Sequence, residues 1–312
     1  METYDVVIVG GGPAGLAGAL TLARARRSVL VVDNGTPRNA AAGHVHNFLT
    51  RDGTPPAELL AAGRAEVEGY GASFATGTAT GAKATGDSFT VTLDDGRTFK
   101  ARRLLVTTGL ADELPDIPGL AGRLGSDVLH CPYCHGWEVR DQAIGIIATT
   151  AAVAHPALLW RQWSADVTVV LHGQPAPTGQ DAELLAARGI TVVDDRITAV
   201  DPDRTAHLAG GTTLTPDVWV APTRMTARSD LLTDLGVETG PVLMGDIEVG
   251  TAVKADANGA TSVPGVWVAG NVTDLRAQVI VSAAAGLNAG AMINADLVMA
   301  DAHAATRRPS AQ

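Results

Sequence analysis

Six residues near the start of the 312-residue chain, Gly10-Gly11-Gly12-Pro13-Ala14-Gly15, restrict its fold more than any other stretch. They follow an apolar run at 5–9 that reads as a buried parallel strand, and they lead into a helical pattern from Ala14 to Arg27 with small residues on its packing side. A second apolar run, 28–32, ends at Asp33. This is a βαβ unit with Gly10-x-Gly12-x-x-Gly15 at its first turn. Glycine there permits the tight turn and lets the backbone approach a pyrophosphate at the helix N-terminus. A carboxylate at the position of Asp33 can accept hydrogen bonds from a ribose diol. The competing reading is a glycine turn with no ligand; a strand, a helix and an acid in the required order weigh against it.

Further along, 55–70 reads as a helix and 72–101 as short β pieces with a turn at Asp94-Asp95-Gly96. Leu104 to Val106 is another buried strand, and the Pro-rich stretch Leu114 to Pro118 reads as a linker. The strand–loop–helix–strand pattern starts again at Ala143, with strands at 143–147 and 167–171 and helices at 152–163 and 180–188. A second crossing is expected near 240–245, then a strand at 266–269 and a long Ala-rich helix at 277–304, with a disordered tail from Arg307. Two nucleotide-binding-type domains follow, the second inserted into the first. The boundaries expected are 1–112 with 245–312, and 113–244.

The chain has two cysteines, both in Cys131-Pro132-Tyr133-Cys134. A disulfide scaffold would use more, spread along the chain, so this spacing reads as a redox pair or half a metal site. Cysteines at i and i+3 can close a small disulfide ring, and a helix starting at the second would favour its thiolate. Three bland readings compete. Isolated cysteines are often buried hydrophobes. A zinc site lacks a second CxxC, and His130 and His135 would have difficulty converging on one tetrahedron. A glutaredoxin-type site would need a thioredoxin-like domain around it. The flanking histidines titrate near physiological pH and can accept a thiol proton. His135 is the expected general base. For His130, an ordinary loop histidine is nearly as good a reading. No metal is expected.

The first domain resembles the flavin domain of the thioredoxin-reductase family, and the similarity runs over nearly the whole chain. Thr107-Thr108-Gly109 resembles its second flavin-contacting strand end. Gly270-Asn271 and Ala277-Gln278-Val279 resemble its C-terminal flavin motif, although that family usually carries Asp where Asn271 stands. Asn34, Arg38 in Pro37-Arg38-Asn39, and Asn47 in His46-Asn47-Phe48-Leu49 fall in similar flavin-side loops. The resemblance implies FAD as cofactor and a fold of two Rossmann-like three-layer α/β domains. It also implies that Cys134 is the flavin-proximal sulfur, that Cys131 exchanges with substrate, and that the protein is a homodimer.

The second glycine fingerprint, which would hold NADPH, is missing. Residues 145–152 read Gly-Ile-Ile-Ala-Thr-Thr-Ala-Ala, and the next strand ends Leu171-His172-Gly173-Gln174 without an arginine. Side chains in the turn hinder approach to a pyrophosphate, and a 2′-phosphate needs cations or dense donors. NADPH is therefore not expected. With His135 after the CxxC, the pattern resembles the small-molecule dithiol oxidases of holomycin and gliotoxin biosynthesis. That resemblance implies a small dithiol as substrate and O2 as electron acceptor. A thioredoxin reductase fed by ferredoxin or NADPH is an alternative, and a non-turnover flavin redox sensor is another. The net charge of −10 argues against nucleic acid and against a membrane surface held by basic residues. No basic n-region opens the chain and no long apolar span is expected, so the expected location is the cytoplasm.

Overall fold

The computed structural model describes residues 2–307, so the tail expected to be disordered lies, beyond Arg307, outside the described residues. The chain divides into two compact units. One comprises Met1–Ala40, Pro56–Ala111 and Met225–Gln312; the other comprises Ala41–Pro55 and Asp112–Arg224.

The first unit opens with β1 (Glu2–Val9), α1 (Pro13–Arg24), β2 (Val29–Asp33), α2 (Pro56–Gly69) and β3 (Ser73–Thr76). A meander follows: β4 (Ala79–Thr85), β5 (Ser88–Leu93) and β6 (Thr98–Val106). Strands β3, β2, β1 and β6 lie in that order and run parallel, while β6, β5 and β4 continue antiparallel. Alternation along β1 decides the layers, because successive side chains of a strand face opposite ways. Val6 and Ile8 join the core shared with α1, whereas Val7 and Val9 join the core on the opposite face.

After β7 (Leu110–Glu113) come the elements of the second unit. These are β8 (Val128–Leu129), α3 (Pro132–His135), β9 (Ile144–Ile147), α4 (Ala154–Trp160), β10 (Val167–Val170) and α5 (Gly179–Ala187). They continue with β11 (Thr191–Val193), β12 (Ile197–Val200), β13 (Ala206–Leu208), β14 (Thr213–Leu214) and β15 (Val218–Val220). A parallel sheet, β11-β10-β9-β15-β8, carries α4 and α5 on one face and the antiparallel sheet β12-β13-β14 on the other. Its strands are apolar on both faces because both are covered.

The chain re-enters the first unit through β16 (Arg224–Ala227) and α6 (Asp230–Thr233). It then forms β17 (Thr239–Met244), β18 (Ile247–Val253), β19 (Val266–Val268) and α7 (Val279–Thr306). β19 pairs parallel with the last residues of β6.

The structure corrects three expectations. The return boundary lies at Arg224/Met225, not 244/245, because 225–244 builds strands of the first unit. The supposed crossing at 240–245 is the β17–β18 hairpin, turning at Gly245-Asp246. Segment 41–55 belongs to the second unit. In addition, α7 is long and apolar enough by composition to cross a membrane. It packs instead on α1: a Cβ on Gly286 would collide with the Ala14 backbone, and one on Gly290 would sit 2.9 Å from the Gly18 carbonyl. Ala289, Ile293 and Leu297 are fully buried there.

Candidate active site

The first glycine loop sits between β1 and α1, with Pro13 opening the helix where its missing N–H costs nothing. Gly10 has φ +108°, and a Cβ there would strike the Thr107 carbonyl. A Cβ on Gly15 would land on the Gly10 carbonyl. Gly12 is different: its φ is −75° and a Cβ would meet no protein atom within 4 Å. Two glycines are thus required by the turn itself, and the third leaves the helix N-terminus open to a ligand. Asp33 accepts the Gly11 amide at 2.9 Å and the Gly35 amide at 3.2 Å, which fixes the carboxylate at the end of β2 beside the loop. Asn34 caps its own turn by accepting the Thr36 amide.

The C-terminal motif reaches the same place. Gly270, at φ +79°, packs with its missing Cβ 3.0 Å from the Ala14 Cβ. Asn271 donates to the carbonyls of Asp274 (3.0 Å) and Ala277 (2.9 Å) and accepts from Arg38 at 3.3 Å. An ionised Asp could not make those two donations, so the amide is what ties this loop to the residues before α7. Gln278 is the N-cap of α7 and Val279 its first residue. Thr108 donates to the Arg228 carbonyl at 2.5 Å, and the Arg228 amide donates to the Gly109 carbonyl at 3.0 Å. These residues fit FAD. The open N-terminus of α1 suits the pyrophosphate, Asp33 the ribose, and the N-terminus of α7 an electron-rich ring edge.

Asn47, expected among the flavin-side residues, lies in the second unit. Its backbone is left-handed, φ +59°, and its side-chain amide donates to the Tyr133 carbonyl at 2.6 Å, inside the second unit. It holds the turn between the two cysteines.

In that turn Cys131 is the N-cap of α3 and Cys134 lies within its single turn. The first cysteine, rather than the second, therefore begins the helix. Backbone bonds from Cys134 N to the Cys131 carbonyl (3.2 Å) and from Gly136 N to the Pro132 carbonyl (2.7 Å) bring the sulfurs to 2.7 Å. Gly136 is needed because a Cβ would meet the Trp163 ring at 2.7 Å. His130 and His135 are half-buried on either side of the pair. Burial pushes the His135 pKa below the ordinary histidine value; the Glu138 carboxylate opposes this and the His46 ring adds to it. His135 is thus neutral, ready to take a proton, at neutral pH. That capacity fades only as pH falls through its lowered pKa.

His46 lies in a stretch expected among flavin-side loops. The structure places His46 Nε2 3.3 Å from Glu138 Oε1 and His46 Nδ1 3.4 Å from Asp52 Oδ2. Among the described residues no group of three His, Cys, Asp or Glu side chains could hold a metal ion.

The second nucleotide turn follows β9. Gly145 is a glycine because a Cβ would meet the Trp219 ring at 2.6 Å, a packing reason unrelated to a ligand. The Gln174 side chain donates to the Thr149 carbonyl at 3.3 Å, across the turn. One positive group does arrive that sequence adjacency hid: Arg196, from the β11–β12 turn, packs against Gly173. His172, whose pKa is lowered by burial and then by Arg196, accepts the Ile197 amide at 3.1 Å.

Residues 4–290 match the model of the pyridine nucleotide-disulphide oxidoreductase family. Thioredoxin reductase sirT of Leptosphaeria maculans is 30% identical, with 96% of this chain and 95% of that protein covered. Among solved structures, HlmI is 45% identical with a TM-score of 0.88, covering 97% of this chain and 95% of its own. An oxidoreductase from Agrobacterium tumefaciens is 35% identical with a TM-score of 0.90, covering 96% and 99%. The chain therefore belongs to the pyridine nucleotide-disulphide oxidoreductase family, as a thioredoxin-reductase-like, FAD-binding disulfide oxidoreductase.

Proposed function

We propose that this protein is an FAD-dependent dithiol oxidase that closes an intramolecular disulfide in a small-molecule dithiol, of the dithiolopyrrolone or holomycin-like kind. One observation carries the reading. The redox pair has a half-buried histidine beside it whose pKa is lowered by burial, while the turn that would take NADPH lacks its glycines and is crossed by a Gln174 hydrogen bond. Likeness to HlmI supports the same assignment.

His135 takes the proton from the first substrate thiol. The resulting thiolate attacks Cys131 Sγ of the Cys131–Cys134 disulfide, breaking that bond and leaving Cys134 as thiolate. The second substrate thiolate attacks the substrate sulfur of the mixed disulfide and releases Cys131. Substrate has lost two electrons and two protons, and the cysteine pair has gained the electrons. The Gly10–Gly15 loop, Asp33 and the Gly270–Val279 segment would hold FAD, which would supply a two-electron acceptor for the reduced pair, with O2 as final oxidant and H2O2 as product. His130, on the other side of the pair, is available as a second proton carrier.

The experiment is oxygen uptake by the FAD-loaded protein with a reduced small dithiol. One O2 consumed and one H2O2 formed per disulfide is the expected balance. Disulfide formation without oxygen uptake would contradict the oxidase.

We also infer a cytoplasmic homodimer. Along α7, Leu287, Val298 and Met299 are each half or more exposed, an apolar row suited to a second copy. A solution mass of twice the chain supports this, and a monomer removes it.

A further inference from the structure

The peptide between Tyr133 and Cys134 is bonded on both edges. Its N–H, on Cys134, donates to the Cys131 carbonyl at 3.2 Å. Its C=O, on Tyr133, accepts from the Asn47 side-chain amide at 2.6 Å. A peptide unit is planar, so two bonds on opposite edges fix its orientation and, with it, the place of the Cys134 Cα. The bond from Asn47 meets a local need. α3 ends after one turn, and the Tyr133 carbonyl is among the last ones, which a helix leaves without an internal partner.

The donor is held ready by its own loop. Segment 41–55 belongs to the same unit as the redox turn. The Val45 amide donates to the Thr54 carbonyl at 2.8 Å, and the Gly53 amide donates to the Val45 carbonyl at 2.9 Å, which closes the loop. Inside it the Asn47 amide donates to Asp52 Oδ1 at 2.8 Å. The Asn47 backbone has φ +59°, a conformation that asparagine adopts more readily than most residues. The loop has a second anchor beyond the turn, where His46 Nε2 lies 3.3 Å from Glu138 Oε1.

Closing a disulfide between Cys131 and Cys134 removes two electrons and two protons from two thiols. The equilibrium depends on the freedom the two residues lose on closure, and a pair already held in register has less to lose. We propose that Asn47 is a positioning residue for the redox pair. By holding the Tyr133–Cys134 peptide it arranges the turn for ring closure and keeps the reduction potential of the pair low, so that the reduced pair gives up its electrons readily. This role rests on the reading of Cys131 and Cys134 as a redox pair, and adds a residue from a distant loop that sets how easily the pair is reduced.

The test is the thiol–disulfide equilibrium of the FAD-loaded protein, without air, against dithiothreitol and its cyclic disulfide in varied ratio. The cyclic disulfide takes up the two electrons and two protons. The chain has no other cysteine, so acid quenching and alkylation read the pair directly, while absorbance reads the flavin. Asn47→Gly suits the left-handed backbone and removes the donor. Asn47→Asp keeps the volume, and its carboxylate only accepts; it serves where the glycine variant fails to load flavin. Each should weaken closure about tenfold, a rise in potential of about 30 mV. His46→Gln loosens the same loop but leaves the Tyr133 bond in place, and should close as the parent does. No shift in the Asn47 variants, a shift toward the disulfide, or an equal shift in His46→Gln overturns the role of Asn47 and leaves the redox pair standing. A parent that forms no disulfide at any ratio removes both. The equilibrium needs neither the small-molecule substrate nor oxygen, so a failed oxidase assay does not touch it.

Discussion

Cys131→Ser and Cys134→Ser are each expected to take dithiol-dependent peroxide formation to background while the protein stays folded and keeps its flavin. The turn does not depend on the sulfurs. It is fixed by the Cys134–Cys131 and Gly136–Pro132 backbone bonds, by Asn47 on the Tyr133 carbonyl, and by Trp163 filling the space beside Gly136. A serine occupies nearly the same volume and preserves all of these. The expected cofactor residues, apart from Asn47, lie in the other unit. What serine removes is thiol–disulfide exchange itself. Peroxide assay, visible absorbance and thermal melting together check the outcome. Substantial turnover in either variant would place the chemistry elsewhere.

Gly15→Ala and Gly12→Ala are expected to part company. The first puts a methyl on the Gly10 carbonyl, so the backbone of the loop must move. Overpacking of this kind costs about 1–3 kcal/mol, and the apoprotein should melt earlier. The second meets no protein atom and has an ordinary φ, so the apoprotein should melt as the parent does. Its methyl instead intrudes where the helix N-terminus receives a pyrophosphate, and FAD affinity should fall. Melting of both apoproteins and FAD titration separate the two effects. Equal FAD affinity in Gly12→Ala and the parent would put the cofactor elsewhere.

The parts of the fold carried by short-range patterns were legible in the chain. The apolar runs at 5–9, 28–32 and 143–147 are strands because buried parallel strands need continuous apolar sequence, and the glycines between the first two mark their turn. The β17–β18 hairpin was not legible. Strand β17 is mostly exposed, and Gly240, Pro241 and Gly245 resemble a linker. The one-turn helix α3 is too short to show a period. Gly145 stands where a nucleotide loop would begin, but packing against Trp219 accounts for it. Within the site, the cysteines and His135 were marked by spacing alone. His46, Arg196 and the bond from Asn47 to Tyr133 were not, because each reaches its place through tertiary structure from a distant stretch of sequence.

The central claim is that electrons enter from a dithiol rather than from a nicotinamide. The direct measurement is flavin absorbance of the anaerobic FAD-loaded protein after mixing with NADPH and, separately, with a small reduced dithiol. The account predicts bleaching by the dithiol, none by NADPH, and return of colour with peroxide when air is admitted. Rapid bleaching by NADPH would contradict it. That result would mean that Arg196 and the turn after β9 do receive a nicotinamide nucleotide, and that the enzyme is a reductase.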